Sequence, residues 1–172
     1  KIFTNNIFFF LDLLFLIFSF YSSFSIRVND ENSGLFIFVF LITICIATDI
    51  GGYIFGKILK GPKLTKISPK KTYAGLIGSY FFSIIGAFSI VTYSHLFTFQ
   101  EVIINGYLIF VTLLISTVSQ VGDILISYFK RLANIKDTGK LIPGHGGILD
   151  RIDGMIFAFP FYFILTFFFK IL

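Results

Sequence analysis

Five long apolar runs, at 7–26, 34–55, 76–97, 102–129 and 155–172, decide what this chain can fold into. Each is long enough to cross about 30 Å of hydrocarbon as a helix rising 1.5 Å per residue. Lipid offers no partner to a free backbone N–H or C=O, so a spanning segment of this kind must satisfy its hydrogen bonds internally. Charged residues make up only 13% of the 172 positions and apolar ones 56%, whereas soluble domains carry about a quarter charged. The expectation is an all-α polytopic membrane helix bundle of about five transmembrane helices, forming one transmembrane domain over 1–172. A soluble domain is excluded, and no nucleic-acid partner is expected. Residue 1 is Lys and the single methionine is Met155. The chain is therefore expected to be the C-terminal portion of a longer product whose N-terminal spans are missing here. The first run is too long for a signal-peptide core and no A-x-A site follows it. Cys45 stands alone inside an apolar run and offers neither a disulfide nor a thiolate metal site.

Charge orients the bundle. Residues 57–75 hold six lysines (57, 60, 63, 66, 70 and 71) and no acid, and residues 130–151 hold five basic residues. Two spans separate these loops, so both lie on one side of the membrane. Eleven of the fourteen Lys and Arg residues therefore collect on one face, which the excess of positive charge on inner loops makes cytoplasmic. The expected topology is five spans of the cell membrane with the N-terminus inside and the C-terminus outside. Such loops need be no more than topology signals lying against anionic headgroups. Ser68-Pro69-Lys70-Lys71-Thr72 also reads as a turn with two hydroxyls and two lysines, a phosphate grip of low specificity.

Acids inside apolar runs are costly and usually face a cavity or a partner. Asp12 lacks polar neighbours and reads as an interfacial acid. Asp49 is followed by Gly51, Gly52 and Gly56; close helix packing explains the glycines but not the acid, which is expected to line a site. Ser116, Ser119, Gln120, Asp123, Ser127 and Lys130 recur at three- and four-residue spacing and form one polar stripe on the fourth run. Such hydroxyls often only glue helices together, but an acid among them leading into Lys130-Arg131 points to a site, with Ser127 one turn away offering a second oxygen to a cation. His95 reads as interfacial and inert.

The densest polar stretch is 127–153, SYFKRLANIKDTGKLIPGHGGILDRID. Asp150 and Asp153, three apart, are expected to share a helix face and, with Asp123, to hold Mg²⁺, which favours a few carboxylates, waters and substrate phosphates. Gly144, Gly146 and Gly147 free the backbone to bring N–H groups to an anion. Lys130, Arg131, Lys136 and Arg151 can neutralise phosphate oxygens. His145, between glycines, does not read as a core histidine. Carboxylates, cations and a glycine nest together point to phosphoryl or nucleotidyl transfer at a membrane surface.

These residues carry a resemblance. Ser127-x-x-Lys130-Arg131, Lys136-Asp137-x-Gly139 and Pro143-Gly144-His145-Gly146-Gly147-x-x-Asp150-Arg151-x-Asp153 look like the C-terminal signature of the phosphatidate cytidylyltransferases (CDP-diacylglycerol synthases). Asp49-x-Gly51 with Tyr53 and Gly56, and Ser68 to Thr72, resemble that family's second conserved region; Gly122-Asp123 with Ser127 resembles its metal-binding helix. The likeness covers roughly 47–154. One position departs: Ala74 stands where the family usually has glutamate before the glycine. The resemblance implies transfer of CMP from CTP to phosphatidic acid, giving CDP-diacylglycerol and pyrophosphate, with Mg²⁺ required and a second cation left open. It implies that Asp123 and Asp150 ligate the metal, supported by Ser127 and Asp153. Lys130, Arg131, Lys136 and Arg151 would bind phosphates, the His145-Gly146-Gly147 loop would approach the triphosphate, and Asp137 and Asp49 would line the site. Ser68, Lys70, Lys71, Thr72 and Gly144 complete the expected substrate contacts. The partners are CTP, phosphatidic acid and membrane lipids; a homodimer is left open.

Three other readings stand beside this one. A CTP-dependent polyprenol or phytol kinase would release CDP instead of pyrophosphate. A transporter would use Asp49 and Asp123 as coupling sites near the midplane, but the acids gather at one end and no inverted repeat is visible. An inactive remnant is the third, suggested by Ala74.

Overall fold

The structure, a computed structural model, describes residues 6–28, 33–65, 68, 71–98, 102–135, 138–139, 147 and 149–169, with side chains from residue 10 onward except those of 151 and 169. Its elements are α1 (Asn6–Val28), α2 (Gly34–Leu59), α3 (Tyr73–Thr92), a short 3-10 turn at Ser94–Leu96, α4 (Gly106–Leu132), the single turn α5 (Leu149–Ile152) and α6 (Met155–Phe169). Among the described residues four helices, 10–28, 34–59, 73–92 and 106–132, are long and apolar enough to cross a membrane. The fifth apolar run forms the shorter α6, 15 residues with Pro160 inside it, about 22 Å of helix at the usual rise. The protein is a polytopic membrane bundle, as the apolar runs require.

Local chemistry sets the boundaries. Lys60 (φ 49°) and Gly61 (φ 112°) turn the chain out of α2 through the left-handed region, where glycine meets no Cβ penalty, and Pro62 cannot resume the helix. Thr72 caps α3 by accepting the Gly75 N–H at 3.1 Å, and Asn105 caps α4 by accepting that of Leu108 at 2.8 Å. Each satisfies a donor that the first helical turn leaves without a partner.

Helices α2 and α3 pack backbone to backbone. A methyl group added at Gly75 would lie 2.8 Å from the Gly52 carbonyl oxygen, and one at Gly51 would overlap the Gly78 carbonyl and Phe82. The glycines after Asp49 therefore serve close packing. Thr48, fully buried, ties three helices: its hydroxyl donates to Ser116 Oγ on α4 (2.9 Å) and its carbonyl accepts from Ser79 on α3 (2.8 Å).

Pro160 has no N–H to give the Ile156 carbonyl, which would otherwise be orphaned inside the bundle. The Ser19 hydroxyl of α1 donates to that carbonyl at 2.8 Å. The freed acceptor thus becomes an interhelical hydrogen bond, the usual accommodation of proline in a membrane helix.

The two ends of the bundle differ in chemistry. Phe36, Phe40, Leu41 and Ile44 of α2 bury against Val111 and Ile115 of α4 and Ala158 and Tyr162 of α6. Beyond Thr48 and Ser116 the same helices carry Asp49, Gln120 and Asp123. There the α2–α3 loop folds back on itself, with Lys63 bridging Thr72 and the Leu64 N–H donating to the Lys71 carbonyl at 2.7 Å. This fold-back carries Lys71 to Asp123 of α4, toward the end of that helix that also bears Lys130 and Arg131.

Candidate active site

The site is built where α2, α3, α4 and the start of α6 converge. Close approach of α4 to α6 is again a matter of glycine. A methyl group at Gly122 would lie 2.6 Å from the Phe157 ring, and one at Gly154 would lie 3.1 Å from the Ser119 carbonyl oxygen. Each glycine adjoins an acid, so the packing that brings the helices together also brings Asp123 and Asp153 face to face.

Lys71 reaches into this junction. Its ammonium lies 2.6 Å from Asp123 Oδ2 and donates to the Gln120 carbonyl at 3.2 Å. Ser127 Oγ stands 3.4 Å from Asp123 Oδ1, a long contact one turn along the α4 stripe. Asp49 and Asp123 line a cavity of about 290 Å³ together with Ser68, Lys71, Thr72 and Gln120. Asp153 is 7% exposed and accepts the Gly154 N–H at 2.9 Å. Burial, then the charge and hydrogen bond of Asp123 and the charge of Asp49, push its carboxyl up to about 7 against that N–H.

Asp150 has the opposite surroundings. Its Oδ1 accepts from Lys130 Nζ at 2.8 Å, and its Oδ2 accepts the N–H groups of Thr138 and Gly147, both at 2.9 Å. Burial works against its charge, but the ammonium and the two N–H donors outweigh it and hold the carboxyl down at about 2. The Asp150 N–H returns a bond to the Gly147 carbonyl at 3.2 Å. The Asp150 side chain thus reaches back to the N–H three residues before it, while the backbone bond of the same turn runs the other way. A side chain at Gly147 would run into Thr138 and the Gly139 N–H, so glycine is what lets this loop close on the carboxylate.

The structure thus divides the expected metal set. It joins Asp123 to Asp153, and it engages both oxygens of Asp150 with Lys130 and the backbone. The shared helix face expected for Asp150 and Asp153 does not form, because α5 ends at Ile152 and the chain turns before Asp153. The Gly147 N–H, expected to meet a substrate anion, meets Asp150 instead. Lys130 is likewise committed to Asp150, while Arg131 is exposed. Lys70, Lys136, Asp137, Gly144, His145, Gly146 and the side chain of Arg151 lie outside the described residues. Asp12 and His95 are exposed.

Among the described residues no three acidic, histidine or cysteine side chains are close enough to make a ready metal cage. The donor set still suits Mg²⁺, which is held by one or two carboxylates and completes its shell with waters and substrate phosphates. Asp123 and Asp153 would supply the carboxylates and Ser127 a supporting hydroxyl. Gln120 and Thr48, absent from the expected substrate contacts, also line the cavity. Gln120 was signalled by its place one turn before Asp123 on the polar stripe, and Thr48 only by its position beside Asp49.

A family model described as the cytidylyltransferase family matches residues 1–169. The chain belongs to the cytidylyltransferase family. Among its relatives in that family, proteins named phosphatidate cytidylyltransferase are 42% identical over 138 residues in Brucella melitensis, covering 79% of this chain and 48% of that protein, and 39% identical over 143 residues in Rickettsia typhi, covering 80% and 61%. That of Haemophilus influenzae is 36% identical over 141 residues, covering 81% and 49%. The chain spans about half the length of the curated relatives it matches.

Proposed function

We propose that this chain forms the catalytic C-terminal portion of a phosphatidate cytidylyltransferase, transferring CMP from CTP to phosphatidic acid at the cytoplasmic face of the cell membrane. The observation that carries the reading is the junction of Asp123, Asp153 and Lys71 beside a cavity at the basic end of the bundle. Two phosphate-bearing substrates could meet there between a lipid-embedded scaffold and water. The family and the printed names of the relatives support the substrate assignment. The positive-inside rule supports the cytoplasmic side.

In this reaction an oxygen of the lipid phosphate attacks the α-phosphorus of CTP. The new P–O bond forms as the bond from the α-phosphorus to the bridging oxygen breaks, and pyrophosphate leaves with that electron pair. The nucleophile is already an anion and needs little help from a general base. What opposes the reaction is repulsion between two polyanions, so the chain's task is to position them and offset their charge. Lys71 at the cavity wall and the exposed Arg131 in the last turn of α4 supply positive charge, and Ser68 and Thr72 supply hydroxyls. Mg²⁺ held by Asp123 and Asp153 would neutralise phosphate oxygens and stabilise charge on the leaving pyrophosphate. Asp150 acts one step removed: it clamps Thr138 and Gly147 to Lys130 at the end of α4.

The test is a product assay on the chain in phosphatidate-containing micelles with CTP and Mg²⁺. CDP-diacylglycerol and pyrophosphate in equal amounts are expected. Release of CDP with a phosphorylated lipid would instead identify a lipid kinase, and no Mg²⁺-dependent product would remove the assignment for this chain.

A further inference from the structure

We infer that Lys71 is a resident counter-ion that changes partner: it holds Asp123 until a divalent cation takes that carboxylate, and then turns to the nucleotide phosphates. The inference rests on the functional reading above and adds to it a step made by the chain itself.

The geometry points this way in three respects. First, Lys71 sits on the carboxylate best placed to bind the cation, 2.6 Å from Asp123 Oδ2. An ammonium and a divalent cation on one carboxylate repel each other, so one must give way. Second, the backbone of Lys71 is pinned, while its side chain is held at its tip, by Asp123 and by the Gln120 carbonyl. Its N–H donates to Ser68, its carbonyl accepts from Leu64, and the next residue bridges Lys63. The ion pair at the end of that flexible four-carbon stem keeps about a quarter of each side chain exposed, 24% for Lys71 and 27% for Asp123. Third, a destination exists. Lys71 lines the cavity of about 290 Å³, so rotation of its stem would aim the ammonium into that space without moving the loop. Among the described residues, Lys71 is the one cation lining the cavity beside Asp49 and Asp123. Displacing it would leave those acids to the incoming cation and present a positive charge to the incoming phosphates.

A purely structural Lys71, a strut tying the loop to α4, predicts different behaviour. Removing a strut loosens the site and leaves cation affinity unchanged or weaker; removing a competitor strengthens it.

The experiment uses the full chain in detergent, with Mn²⁺ as the probe followed by electron paramagnetic resonance and CTP binding followed separately. Lys71→Met is expected to bind Mn²⁺ about fivefold more tightly than the wild type, the scale of one partly exposed ion pair. At saturating Mn²⁺ the same variant should bind CTP about tenfold more weakly, the scale of a lost charged hydrogen bond. Lys71→Arg, which keeps the charge, should bind Mn²⁺ within about twofold of the wild type, inside the range of that ion pair. Unchanged or weaker Mn²⁺ binding by Lys71→Met, with the wild type binding both ligands, overturns the exchange. A wild type that binds neither Mn²⁺ nor CTP overturns the functional reading instead. Should Lys71→Met fail to fold, acylation of Lys71 in the wild type answers the same question. Labelling should rise on adding Mn²⁺ and fall again with CTP, and labelling indifferent to Mn²⁺ overturns the exchange.

Discussion

Asp150 and Asp153 are three residues apart, and the fold treats them in opposite ways. Asp150 has a partner for each oxygen, an ammonium on one side and two backbone N–H groups on the other. Asp153 is buried against another carboxylate, with the Gly154 N–H as its backbone donor. A satisfied acid resists a metal, since binding would strip it of bonds already made. A crowded acid gains from one, since a cation relieves repulsion that the fold has built in. The same residue type in one short stretch is thus an anchor at one position and, under the proposed function, a site at the other.

The comparison is broken or sharpened most strongly at Asp123, which faces Asp153. Asp123→Asn should lower CMP transfer by about a thousandfold or more, the scale of losing preorganised charge stabilisation at a reaction centre. Helical content and membrane insertion should remain as in the wild type. Near-normal turnover would mean that the crowded pair is not the site.

Next in size is a difference of sign. Asp150→Asn leaves the Lys130 ammonium, 14% exposed, without its counter-charge, and should cost about 2–3 kcal/mol. Asp153→Asn removes crowding and should stabilise the metal-free protein by about 1 kcal/mol at pH 8. Thermal unfolding in detergent without divalent ions reads both, and shifts in the same direction would dissolve the contrast.

The pH dependence follows from the two shifts. Asp150, lowered from 3.8 to about 2, contributes stability that is fully present above pH 4 and disappears as pH falls through 2. Asp153, raised from 3.8 to about 7, holds a proton in the folded state that the unfolded chain has lost. Its cost therefore accumulates as pH climbs from about 4 to about 7 and is complete above that. The metal-free protein should lose stability over that upper window. Added Mg²⁺ should flatten the loss and release a proton on binding near neutral pH. Asp153→Asn should erase the upper window and leave the lower one intact, as unfolding midpoints measured from pH 2 to 9 would reveal.

The smallest effect serves as a control remote from both acids. Ser19→Ala leaves the carbonyl freed by Pro160 without its donor and should lower stability by about 1 kcal/mol, with CMP transfer unaltered. Lost transfer at full stability would show that α1 does more than pack.

Much of the fold was legible in the apolar runs, because length and hydropathy leave a membrane segment few choices. Four became spanning helices close to their expected bounds, and the glycines after Asp49 announced the close pairing of α2 with α3. The stripe from Ser116 to Lys130 likewise marked the face of α4 that meets the site. The pairing of acids was not legible. Spacing places Asp150 and Asp153 on one helix face only if the helix continues, and it stops at Ile152. Nor does spacing show that the Lys63–Thr72 fold-back delivers Lys71 to Asp123, or that Ser19 reaches, across 137 residues, the Ile156 carbonyl that Pro160 frees. Such contacts depend on how loops return and helices cross, which no local pattern contains.

The division of the acids is tested most directly by counting and weighing Mn²⁺ binding in four versions of the full chain: wild type, Asp123→Asn, Asp153→Asn and Asp150→Asn. The arrangement predicts that the first two substitutions weaken Mn²⁺ binding by about tenfold or more, as loss of a carboxylate ligand should, while Asp150→Asn, provided it is folded, stays near the wild type. A folded Asp150→Asn that loses Mn²⁺ as fully as Asp123→Asn, with Asp153→Asn unaffected, would contradict it.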